Sequence, residues 1–407
     1  NRELARPQNE TFKTFESVDH LKIGVQWENQ INEKVRWDSY AFYAHRDFEG
    51  KTPVQRNGYI DLVRNYYGVG SALELQIQDN HRMQFRISIA DQKDDRKRYQ
   101  NLEGNAGENV LDQKELFFNT ALSFLDELKW SFGLLRLGLR YDYQRLGTQR
   151  GRDEIMLNPS NPSLRLTYTK WGRHVVFISY SSSFETPTLN ELSANPLSST
   201  GFNPDLSPSK ANNYEMGWRN VTPENTLEVT LYAINTKSEI LPYELPAFLG
   251  QDFYRNAGKT KRMGIELFWE HQKGPWLWTL TYNYASIKFD DYVLGDQNLS
   301  GNHLPGVPQQ QLTNFVQYDF SEGWGASLQT QYSGELYADD ANQTLIADYF
   351  LVNLRWWKSF NRLSFFGGIN NVMNRAYFDN IRINAYGKRH YESAPLRNFY
   401  LGININI

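Results

Sequence analysis

In the stretch "NFYLGININI", Phe399, Leu401, Ile403, Ile405 and Ile407 alternate with Asn398, Tyr400, Gly402, Asn404 and Asn406. Alternation at period two predicts a β-strand with one apolar and one polar face. The pattern recurs upstream. Trp276, Trp278, Leu280, Tyr282 and Tyr284 oppose Leu277, Thr279, Thr281 and Asn283; Trp324, Ala326, Leu328, Thr330 and Tyr332 oppose Gly325, Ser327, Gln329, Gln331 and Ser333; Leu135, Leu137, Leu139, Tyr141 and Tyr143 oppose Arg136, Gly138, Arg140 and Asp142. The polar sides hold charges and amides, which suit a wet surface better than a dry core. In a soluble sandwich the apolar face would point inward, whereas in a membrane barrel it points outward.

The joins between strands decide between these. Short ones, such as "NQINEKV", "QDNHR", "DELK", "HQKGP", "SEG" and "KSFNR", alternate with longer polar connections at Gln92–Gln113, Leu146–Pro162, Glu185–Ser209, Pro242–Asp252 and Asp290–Val307. Short turns on one rim and long loops on the other predict an outer-membrane barrel. All 11 Trp lie beside the short turns and none in the long connections, as a ring at one headgroup level requires. About seventeen strands are legible, whereas bacterial single-chain barrels normally have an even number. The first clear strand, near Val18–Trp27, runs in the same sense as the last. The expectation is therefore a barrel whose opening strands lie outside this sequence.

Composition removes other classes. No run approaches the ~18 apolar residues of a membrane-spanning helix, and mean hydropathy is -0.63. A net charge of -3 gives no basic footprint for nucleic acid. With no Cys there are no disulfides or thiolate ligands. The 7 His are scattered without metal-ligand spacing, and no Ser/His/acid constellation appears. The expectation is a protein that is not an enzyme and has no resident metal or cofactor.

Several strings then become recognisable in order: "SFETPTLNEL" (Ser183–Leu192), "NPDLSPSKANNYEMGWR" (Asn203–Arg219), "RNAGKTKRMGIEL" (Arg255–Leu267), "LPGVPQQQL" (Leu304–Leu312), "GINNVMNRAYFDN" (Gly368–Asn380) and the terminal "RNFYLGINI". Together they resemble the landmarks of the TonB-dependent outer-membrane receptors, most of all those for ferric siderophores or ferric citrate. The resemblance implies an all-β transmembrane antiparallel barrel of roughly 22 strands with a plugged lumen. Residues 1–407 would be its C-terminal part, with the plug domain outside this chain. It also implies a bacterial outer-membrane location, contact with lipid, a small-molecule cargo and energy coupling to TonB through the plug. The leading expectation is import of a ferric chelate; the alternatives are another cargo (a cobalamin-like cofactor, an oligosaccharide or a peptide) or a passive porin. Gly217, Gly264 and Gly402 would leave room on the luminal face for the plug. No His lies between Phe184–Pro187 and Asn203–Pro204, which disfavours haem.

An anionic chelate needs Arg forks and aromatic faces near the long loops. Candidate ligand contacts are Arg96, Arg98 and Tyr99; Arg150 and Arg152; Phe253, Tyr254 and Arg255; and Arg382, Tyr386, Arg389 and Tyr391.

Overall fold

The computed structural model describes residues 7–149, 154–198, 200–248, 251–386 and 391–405. Its frame is one antiparallel sheet in which each wall strand pairs with its sequence neighbour. The strands are β1 (Phe15–Asn32), β2 (Val35–Lys51), β3 (Tyr59–Gln78), β4 (His81–Leu102), β5 (Asn105–Trp130), β6 (Gly133–Thr148), β7 (Ser160–Trp171), β8 (His174–Glu185) and β9 (Ser209–Val221). They continue with β10 (Asn225–Lys237), β11 (Lys259–Lys273), β12 (Trp276–Asp291), β13 (Gln310–Asp319), β14 (Trp324–Ser333), β15 (Tyr349–Phe360), β16 (Leu363–Asn370) and β17 (Asn398–Ile405). A three-residue strip, Ile155–Leu157, lies on β6 beside β7. Leaving that strip out of the 18-stranded sheet, seventeen strands make the wall, as the alternation indicates. Among the described residues β1 and β17 are its two edges, and they run in the same direction.

Two-residue joins build one rim: Glu33–Lys34, Asp79–Asn80, Ser131–Phe132, Gly172–Arg173, Gly274–Pro275 and Asn361–Arg362. Gly172 and Gly274 take φ of 60° and 55° there, a left-handed backbone that a residue without Cβ enters freely. Two sequence boundaries shift. "DELK" stays inside β5, with Lys129 still paired to Leu134. The expected loop Gln92–Gln113 is a long hairpin instead, turning only at Glu103–Gly104. Its strands keep period-two alternation, but both faces are polar, so the pattern reads as loop.

One face of the wall carries a continuous exposed apolar belt. Leu73, Phe85, Phe124, Leu139 and Pro162 are successive cross-strand partners on it. At the far edge Leu401 is 80% exposed. Leu280 and Leu328 share this face, while Gln329 lies on the other. Near the short turns the belt is bordered by Trp27, Trp37, Trp218, Trp269, Trp276, Trp278, Trp324 and Trp356. Towards the opposite rim Tyr43, Tyr67, Tyr141, Tyr214 and Tyr284 stand on the same face. Trp357 turns the other way and lies on the polar face against Gly325. So large an apolar surface is built for apolar surroundings.

The polar-face glycines are filled from within the sheet. An added Cβ at Gly217 would strike the Phe177 ring, one at Gly264 the Tyr232 ring and one at Gly402 the Phe366 ring. The vacancies expected to await a plug are thus taken by neighbouring aromatic rings, a packing device of β-sheets. The buried apolar clusters lie where the long connections meet the ends of the wall strands. One joins Leu241, Ala257, Phe289, Tyr292, Leu299 and Leu304; the other joins Leu146, Leu189, Leu192, Phe202 and Leu206.

Candidate functional site in the loop crown

The long connections fold over one rim as a crown, tied together by two groups of buried charges. The first centres on Asp340, 2% exposed. Its Oδ2 accepts from Arg255 Nη2 at 2.9 Å and from the Tyr292 hydroxyl at 3.2 Å, and its Oδ1 accepts from Asn384 Nδ2 at 3.0 Å. Its carbonyl accepts from Asn302 Nδ2 at 2.9 Å. Four connections meet at this carboxylate: 238–258, 292–309, 334–348 and 371–397. Burial, reinforced by Asp340, pushes the Tyr292 hydroxyl up to about 12. Arg255 also lies 4.7 Å from the Tyr243 ring centre. Every charge in this knot is answered by another part of the crown.

The second group lies where β4 and β5 project beyond the apolar belt. Arg96 Nε donates to Glu115 Oε1 at 2.8 Å, and both side chains are buried. Arg96 Nη1 reaches Asn190 Oδ1 at 3.2 Å, on the short helix Leu189–Ser193. That helix is set by a capping box: Thr188 Oγ1 accepts from Glu191 N at 3.2 Å, and Glu191 Oε2 accepts from Thr188 N at 2.7 Å. Ser193 donates to Glu115 as well. Arg96 and Glu115 therefore pin the 186–208 connection across the polar face.

Arg98, two residues on, points to the same face and has no carboxylate partner among the described residues. Its Nε is buried without a hydrogen-bond partner. Burial, then repulsion from Arg96, lowers its pKa to about 10. The remainder of the side chain borders a cavity of about 560 Å³. Arg56 and Asn57 enter from the β2–β3 connection, Gln100 and Glu108 from β4 and β5, Ser193 from the end of the short helix with Asn195 and Ser198 just after it, and Phe248, Gln251 and Phe253 from the 238–258 connection. Arg56 sits 4.6 Å from the Phe248 ring centre, and Asn57 Nδ2 donates to Gln251 Oε1 at 3.1 Å. Glu108, the one acid on the lining, accepts from Gln100 at 3.3 Å. The cavity thus offers guanidinium, amide and hydroxyl donors over an aromatic floor.

The sequence candidates divide accordingly. Arg98 and Phe253 line the cavity; Arg96 is the clamp beneath it. Tyr99 is on the opposite face of β4, edge-on to Tyr59 at 5.9 Å. Tyr254 packs on the Leu189–Leu192 cluster, and its carbonyl accepts from Asn203. Arg255 belongs to the Asp340 knot, and Arg382 bridges Glu244 at 2.7 Å and Asp252 at 2.9 Å. Tyr386 is half exposed, its N–H on Glu244. Arg150, Arg152 and Arg389 lie outside the described residues. Tyr391 opens the strip Tyr391–Ser393 and pairs with Ile381 through its backbone; its side chain lies outside the described residues. Sequence reading passed over Arg56, Asn57, Ser193, Asn195 and Phe248, whose one signal is their place in long connections.

The model of the TonB-dependent receptor-like β-barrel matches residues 5–372. The chain is 26% identical over 266 residues to the ferrioxamine receptor of Yersinia enterocolitica, covering 62% of this chain and 35% of that receptor. Among solved structures it resembles the unliganded ferric citrate transporter FecA, with a TM-score of 0.80 and 18% identity over 96% of this chain and 62% of that one. The siderophore receptor PiuA of Acinetobacter baumannii gives a TM-score of 0.77 and 16% identity over 97% of this chain and 65% of that one. The chain thus spans about a third of the first relative's length.

Proposed function

From the premise that this chain belongs to the TonB-dependent receptor family through its β-barrel domain, we propose that it forms most of the wall and loop crown of an outer-membrane receptor importing an anionic ferric chelate. The apolar belt with its Trp border is the lipid face, and the crown faces the cell exterior. Because β1 and β17 run in the same direction, antiparallel closure takes an odd number of further strands. In this reading those strands, the plug and the TonB-engaging segment come from the rest of the protein.

The observation that carries the reading is Arg98. A largely buried guanidinium with no bonded carboxylate, its nearest acid Glu115 already held by Arg96, is costly, and it borders a polar cavity open to the loops. A carboxylate or phenolate on the cargo supplies the missing partner in a charge-assisted hydrogen bond. Names of relatives support a ferric chelate as the cargo, namely the ferrioxamine, ferric citrate and siderophore receptors; its anionic character is argued from Arg98. The test is tryptophan-fluorescence titration of the full-length receptor in detergent with ferric citrate, ferric catecholates, ferric hydroxamates and haem. Saturable quenching by an anionic ferric chelate, weakened in Arg98→Gln, is the expected result. Silence towards all of these, with binding of a sugar, peptide or cobalamin, would move the chain to another cargo. Placement in the membrane has its own test. Leu280→Arg or Leu328→Arg should cost ~2–4 kcal/mol of barrel stability, and Gln329→Arg little; equal tolerance at all three would reverse the faces.

A further inference from the structure

Below the Arg98 cavity a line of cations continues down the polar face of β1–β4 and ends in a second recess. In register, His20 pairs with Arg46, Arg46 with Arg64, and Arg64 with Asp94. Three basic side chains therefore stand side by side in one cross-strand row. Lys22 is the next residue down the same face of β1. Like charges directly opposite each other on neighbouring strands repel; the row runs on through Asp94 to Glu115, which answer Arg64 and Arg96 and leave the Arg46 end without counter-charge.

The wall's own carboxylates are already engaged. Asp94 takes a bidentate pair from Arg64 at 2.9 and 2.6 Å, and Glu115 is held by Arg96. Lower on β1, Glu28 is bound by Arg36 at 3.2 Å; Glu16 lies two positions above His20 on the same face. Among the described residues His20, Lys22 and Arg46 have no carboxylate partner. Arg46 rests 5.3 Å from the Phe48 ring centre, and its Nε is buried without a hydrogen-bond partner. Gly24 and Ala44 hollow the wall beside them, and Tyr40 and Tyr66 complete a recess of about 650 Å³.

We propose that this recess is a second anion station, in which Arg46, Lys22 and His20 receive the cargo's oxyanion groups after they leave Arg98. It rests on the reading of the chain as an importer of an anionic chelate. Two cationic sites in sequence give the cargo successive partners, so that no single one must bind so tightly that release stalls.

The experiment uses the full-length receptor in cells with radioiron-labelled ferric citrate as probe. Binding is measured in de-energised cells and initial uptake in energised ones. For Lys22→Gln/Arg46→Gln the expected result is surface binding within about twofold of wild type and uptake reduced at least roughly tenfold, since even one lost charged hydrogen bond accounts for that factor. Lys22→Arg, which keeps the charge, should keep uptake. Undiminished uptake in the double variant overturns the second station while leaving the import reading intact. So does unchanged uptake per receptor together with a leaky barrel that admits large antibiotics; the cations would then hold the domain filling the lumen. Absence of ferric citrate uptake by wild type overturns the import reading for this probe, and the station with it.

Discussion

Arg255 and Arg98 are both largely buried arginines in the loop crown, and they stand in opposite electrostatic situations. Arg255 meets Asp340 at 2.9 Å within a carboxylate environment completed by Tyr292 and Asn384. The Nε of each is buried without a hydrogen-bond partner, but Arg98 has no bonded carboxylate among the described residues, a cationic neighbour in Arg96 and a cavity before it. A charge closed upon internal partners holds loops together. A charge left open stores a requirement that something from outside can meet. In the proposed reading the same residue type thus marks architecture in one place and recognition in the other.

The largest effect should follow from breaking the closed member. Asp340→Ala leaves Arg255 without its acid and Tyr292 without its acceptor, and should loosen the crown by about 3–5 kcal/mol. The readout is limited proteolysis of the 238–258, 292–309, 334–348 and 371–397 connections in the folded barrel. Resistance equal to wild type would mean that Asp340 is no hub. Adding Arg255→Met to Asp340→Ala should restore much of the loss, because removing both partners of a buried pair leaves no stranded charge. A double variant as labile as the single one would place the effect in Tyr292 and Asn384 instead.

Arg98→Gln should behave in the opposite way. Crown resistance should be kept or raised, since an unanswered buried charge is removed. Affinity for an anionic chelate should fall by ~1.5–3 kcal/mol, roughly ten- to a hundredfold. A variant that loses crown order and binding together would show that Arg98 is architecture after all, and the contrast with Arg255 would collapse.

The wall was readable in the sequence because alternation is local. "WLWTLTYNYA" displays its two faces without any knowledge of its neighbours, and short turns and Trp placement orient it. The extensions of β4 and β5 escaped for the same reason. In "DQKDDRKRY" both faces are charged, so period two carries no hydropathy signal. Candidate cations were legible by type and not by fate. Nothing near Arg255 in sequence announces Asp340, 85 residues away, and nothing near Arg98 announces that no acid arrives. Whether a guanidinium is paired is settled by long-range contacts among connections, which one-dimensional pattern does not encode.

The smallest expected effect concerns alkaline pH, where the two regions should pull in opposite directions. The Tyr292 hydroxyl is raised to about 12 in the closed crown, against its ordinary 10. Between those values an opened crown releases this proton while the closed one keeps it, so its contribution is complete below pH 10 and declines as pH rises towards 12. Arg98 is lowered to about 10 from 12.5. Above pH 10 the closed crown sheds the Arg98 proton while the opened one retains it, which favours closure as pH rises. Crown proteolysis followed from pH 9 to pH 12 should therefore change little in wild type, the two slopes offsetting each other. Tyr292→Phe should remove the falling limb, leaving resistance that rises with pH, after a loss of about 1 kcal/mol at neutral pH for the missing hydrogen bond. Arg98→Gln should remove the rising limb, leaving resistance that falls. Identical profiles in the two variants would mean that neither group senses the closure of the crown, and that their different surroundings have no energetic consequence.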